Sequence, residues 1–232
     1  MLYQPSSKNQ LASINQIGMK SFVFHVDDLL PNFNGVLIDE VALALKKVKV
    51  EIENDRENKH KFMAVASKLV ALLRNQHARN EKFICQFSLE FIGIEIWSEA
   101  QTQTIKFCQR YKDVVVYGSS VTVDVDDNYE LIAINSVIVT SIRLNSNFKM
   151  RLEKLKQIVK SRSHNFIDND FKPVLYYYFD SHINIWRLVY YVENKVKDTV
   201  LKLEEISQMV DYIFDARTGE LLVELPRTKT TK

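Results

Sequence analysis

Residues 105–135 read IKFCQRYKDVVVYGSSVTVDVDDNYELIAIN, and the alternation within them decides the fold. Ile105, Phe107 and Tyr111 fall on one face of an extended chain, with Lys106, Cys108 and Arg110 on the other, the period of two of a half-buried strand. Val121, Val123 and Val125 alternate with Thr122, Asp124 and Asp126 in the same way. Gly118-Ser119-Ser120 and Asp126-Asp127-Asn128 separate the runs, because Gly frees the backbone and Asp and Asn bond their own main chain. The stretch predicts three or four short antiparallel strands.

Upstream, residues 83–97 (FICQFSLEFIGIEIW) are rich in β-branched and aromatic residues and predict a strand, with Gly93 marking a bulge or bend. Before it the period changes to that of helices. Leu37, Val41, Leu45, Val48 and Ile52 form one stripe, with Asp39 and Glu40 expected in a first turn where they suit the helix dipole. Phe62, Val65, Leu69, Leu72 and Leu73 form a second stripe over residues 59–76, and polar residues 53–58 separate the two. Residues 21–26 read as a short strand, 27–34 as a loop and 1–18 as a loose arm.

Downstream, a helix is expected from about Ser146, with Phe148, Leu152, Leu155, Ile158 and Val159 as its stripe, ended by the polar residues 161–170. Residues 174–179 and 183–192 predict two strands joined at Asp180-Ser181-His182, with Trp186, Leu188, Tyr190 and Val192 on one face. A helical turn over 201–206 precedes a hairpin of residues 210–214 and 220–225. Its loop, Asp215-Ala216-Arg217-Thr218-Gly219, suits a type I turn with Gly left-handed. Helices that each precede antiparallel strands define the α+β class.

The 232 residues suffice for one large or two small domains. Hydrophobic residues at 46% argue against disorder, and a net charge of +2 argues against a general nucleic-acid binder. No apolar run is long enough to span a membrane. The first residues lack a basic start followed by an apolar core, so the chain reads as cytoplasmic as it stands, or as secreted if a leader has been removed. Cys85 and Cys108 show no CxxC spacing and read as buried reduced thiols.

Chemistry-bearing groups are sparse. Asp124, Asp126, Asn128 and Glu130 alternate like the start of a calcium loop, but Tyr129 and Asn135 stand where Gly and Glu are required, so a strand end and turn is the better reading. His164 with Asp168 and Asp170 lacks a nucleophile. Six basic residues within 149–162 face a single acidic one, Glu153, which reads as a solvated face or a contact for an acidic partner. Tyr176, Tyr177 and Tyr178 alternate faces and cannot form a three-residue stacking platform.

The order of Phe107, Gln109, Tyr111, Val114, Val116, Tyr117, Gly118, Val121, Val123, Val125 and Asn135 resembles the FTP propeptide motif of thermolysin and fungalysin metallopeptidases. It departs from that motif at Thr104 (usually His), Asp113 (Gly), Val115 (Pro) and Ser136 (Gly). Residues 186–193 (WRLVYYVE) and 210–222 (VDYIFDARTGELL), which include Trp186, Asp215 and Gly219, resemble the PepSY module that follows it in the same propeptides. The resemblance implies two cystatin-like modules, each a helix on a curved antiparallel sheet. Residues 1–80 would be an arm and helical segment, 81–140 the FTP-like module, 141–225 the PepSY-like module and 226–232 a tail.

By that resemblance the protein is a non-catalytic inhibitor or folding chaperone of a thermolysin-like zinc peptidase, joined in cis or met in trans, with no cofactor. None of His25, His60, His77, His164 or His182 opens the HExxH zinc motif of the family's peptidase domain. Leu225, Pro226, Arg227, Thr228 and Lys229 are the expected partner contact. Phe107, Gln109, Tyr111, Tyr117, Gly118, Trp186, Asp215 and Gly219 are expected to be structural. The alternative is a protein-binding or assembly module, including a homo-oligomer, on the same scaffold without a peptidase partner.

Overall fold

The computed structural model describes residues 19–25, 35–52, 59–78, 87–140, 142, 149–162, 171–193 and 210–226. They form a mixed α+β protein with a large sheet and three α-helices. Two compact units are distinguished. The first holds residues up to Ile84, Leu89–Cys108 and Ser119–Ser141; the second holds Cys85–Ser88, Gln109–Gly118 and Ile142–Lys232.

In the first unit, strand β1 (Met19–His25) leads to helices α1 (Gly35–Ile52) and α2 (Met63–Ala78), the latter preceded by a 3₁₀ turn at Lys59–Phe62. Strands β2 (Phe87–Trp97), β3 (Thr102–Tyr111), β5 (Ser120–Asp126) and β6 (Leu131–Val139) follow, and β4 (Val114–Val116) lies in the second unit. β1, β6, β5 and β3 pair antiparallel in that order, and β2 pairs with β3. The alternation read from residues 105–135 is realised: Ile105, Phe107, Val121, Val123 and Val125 are fully buried. So are Leu45 of α1 and Leu69, Leu72 and Leu73 of α2, the stripes the helical period selected. Phe62 stacks on Phe91 at 4.2 Å, and Phe91 meets Phe107 edge-on at 6.0 Å, an aromatic column from the helical layer to the sheet.

The start of α1 corrects one expectation. The helix begins at Gly35, so its first turn holds no acid, and Asp39 and Glu40 fall beyond it. Glu40 instead accepts from Lys68 of α2 at 2.9 Å, which ties the two helices together on their exposed side. At Gly93 the side-chain phase of β2 changes. Phe91 meets Phe107, while Glu95 pairs with Lys106 at 2.6 Å. Phe107 and Lys106 are consecutive and point to opposite faces, so odd positions of β2 face inward before Gly93 and outward after it.

Ser136, where the resembling motif carries Gly, lies in β6 between Phe22 of β1 and Val121 of β5. Its hydroxyl is buried without a hydrogen-bond partner. A buried hydroxyl left unsatisfied costs about 1–3 kcal/mol. Ser136→Ala should therefore raise the urea midpoint at unchanged slope, by about 1 kcal/mol of stability. An equal or lower midpoint would show that the hydroxyl is satisfied.

In the second unit, β4 pairs with the end of β3 and runs parallel to β7 (Val174–Asp180), an arrangement the meander reading did not contain. β7, β8 (Ile185–Val192), β9 (Val210–Asp215) and β10 (Leu221–Pro226) continue antiparallel. β8 starts at Ile185 and not at Ile183, which sits 50% exposed in the turn before it, where Asn184 takes a φ of 54°.

α3 spans Leu152–Arg162, shorter than the helix expected from Ser146; residues 143–148 lie outside the described residues. Leu155 and Val159 are its buried face, whereas Leu152, expected on the same stripe, is 45% exposed. Met150 precedes the helix, donating its N–H to the Ala216 carbonyl at 2.6 Å and accepting from the Tyr190 hydroxyl at 3.4 Å. The arm at residues 1–18, the helical turn at 201–206 and Cys85 lie outside the described residues, and Cys108 is half-buried.

Candidate functional site

The FTP-like positions lie along β3 and the segment that follows it. Phe107 and Gln109 occupy consecutive inward positions and both are buried; Gln109 is the polar member of an otherwise apolar row. Tyr111 ends the row with its ring 5.5 Å from that of Tyr177. The chain then reverses at Lys112-Asp113, with φ of 48° and 62°, the handedness of a two-residue hairpin turn. The Arg110 guanidinium donates to the Asp113 carbonyl across that turn. Sequence reading missed this turn because Lys-Asp contains neither the Gly nor the Asn that marks such loops; Asp113 stands where the resembling motif has Gly.

Tyr117 is anchored by its backbone N–H to the Tyr177 carbonyl at 2.8 Å, and its ring meets those of Tyr176 and Tyr178 at 5.9 and 5.8 Å. Tyr177 points the other way and is buried. Gly118 then takes a φ of 78°, a left-handed conformation that Gly adopts without strain, where the chain passes from the second unit to the first.

The PepSY-like positions assemble around Arg187, a residue the sequence did not single out. Trp186 is buried with its ring 5.3 Å from Phe179. Arg187 is next along β8 and points to the other face, where it donates to Asp180 at 3.0 Å and to Asp215 at 2.6 Å. Asp215 also accepts from the backbone N–H of Arg217 at 2.8 Å and of Thr218 at 2.9 Å. Burial pushes the Asp215 carboxyl up, but the Thr218 N–H, the Arg187 hydrogen bond, the Arg217 N–H and the guanidinium charge outweigh it and hold it below the ordinary 3.8. One carboxylate thus closes the hairpin loop and joins it to β8.

The loop ends at Gly219, whose N–H donates to the Asp215 carbonyl at 2.9 Å and whose φ is 76°. A Cβ there would lie 2.6 Å from Met150 Cε and 2.8 Å from Ile158 Cδ1, so the glycine serves both the turn and the seating of α3. On the same face as Arg187, the Tyr191 hydroxyl donates to the buried Asp211 at 2.6 Å.

The acidic run in the first unit is an Asx turn. Asp126 Oδ1 accepts from the backbone N–H of Asn128 and of Glu130, each at 2.8 Å, and Tyr129 takes a φ of 58°. Asn128 and Glu130 reach Lys49 and Lys46 of α1 instead of converging on a cation. Among the described residues no three His, Cys, Asp or Glu side chains group to hold a metal ion. Thr104, where the motif usually has His, donates to Asp124 at 2.7 Å and accepts from Trp97 Nε1 at 3.3 Å. Asn135 donates to the other Asp124 oxygen at 3.4 Å.

Of the expected partner contact, Leu225 is half-buried in β10 opposite Asp211, and Pro226 closes the strand opposite Val210. Arg227, Thr228 and Lys229 lie outside the described residues, as do His164, Asp168 and Asp170. No helix among the described residues is long and apolar enough to cross a membrane. Neither a scan against protein-family models nor a search of curated proteins returns a match to this chain.

Proposed function

We propose that the chain is a non-catalytic propeptide-like protein that inhibits a thermolysin-like zinc metallopeptidase and assists its folding. The support for this reading is that several positions shared with the FTP and PepSY motifs, in the family's order, are built into the sheets and their turns. Phe107, Gln109 and Trp186 are buried; Gly118 and Gly219 take left-handed turns; Asp215 closes a hairpin. On this reading each unit is a cystatin-like module, helices over an antiparallel sheet, and side chains are spent on shape and not on a reactive cluster.

Such a protein acts by complementary surface. Binding the folded peptidase stabilises it by mass action, and covering its cleft blocks substrate. The end of β10 and the residues after it, from Leu225 onward, are the part placed at the partner. Titrating the protein into a cognate thermolysin-like peptidase should lower its activity to a saturating plateau. Adding it during dilution of the denatured peptidase should raise the recovered activity. Full activity at saturation, together with no gain on refolding, would sink the proposal.

A further inference from the structure

We draw no further inference here: the strongest candidate, the surface patch of exposed Ile92, Ile96 and Trp97 along strand β2, carries nothing because nothing in the structure shows what covers it.

Discussion

Asp215→Ala should lower stability by roughly 3 kcal/mol, the cost of removing one partner from a buried ion pair. The side chains of Arg187 and Asp215 are 18% and 7% exposed, so water cannot replace the lost carboxylate. Two further losses accompany the pair: the N–H groups of Arg217 and Thr218 lose their acceptor, and the hairpin loses its closure. Asp180→Ala should cost less, because Arg187 keeps Asp215 and the loop stays closed. Denaturant unfolding of both variants checks the order; equal midpoints would show that the loop contacts contribute nothing.

The same carboxylate sets a pH dependence. Its folded pKa lies below the unfolded 3.8, so its contribution is complete above 3.8 and disappears as pH falls through the folded value. Asp215→Asn should therefore lose less stability than the parent as pH is lowered through that window, while remaining less stable at neutral pH. Parallel curves for the two proteins would contradict the assigned shift.

Phe107→Ala should cost about 3–5 kcal/mol, the range for emptying a fully buried Phe position. Its ring meets Phe91, which in turn stacks on Phe62, so the cavity would open where strand, neighbouring strand and helical layer come together. Cys108 is the next residue of β3 and faces the other way, half-buried. Cys108→Ala should cost a small fraction of the Phe107 change. Thermal or urea midpoints for the pair test the alternation that organises the sheet, and comparable losses at the two positions would refute it.

Most elements were legible because burial repeats with the geometry of the backbone. The period of two in residues 105–125 and the helical stripes at Val41–Val48 and Leu69–Leu73 each select side chains that prove buried. The left-handed Gly219 and the tight loop of Asp215 follow from turn chemistry in the same way. Element ends were less legible. Leu152 and Ile183 carry the right residue type for their element and still lie exposed, because hydrophobicity does not record whether a neighbouring layer reaches that position.

What the amino-acid order determined by itself was local: which residues alternate, which repeat at helical spacing, and where Gly or Asp permits a reversal. Only the tertiary structure decided that β4 runs parallel to β7, that Arg187 bridges Asp180 and Asp215, and that Glu40 reaches Lys68 instead of sitting in the first turn of its own helix. Apart from Arg187 with Asp180, seven residues away across a hairpin, those pairings join residues far apart in the chain. Their energies depend on distance and burial, and these come into being only when the layers have packed.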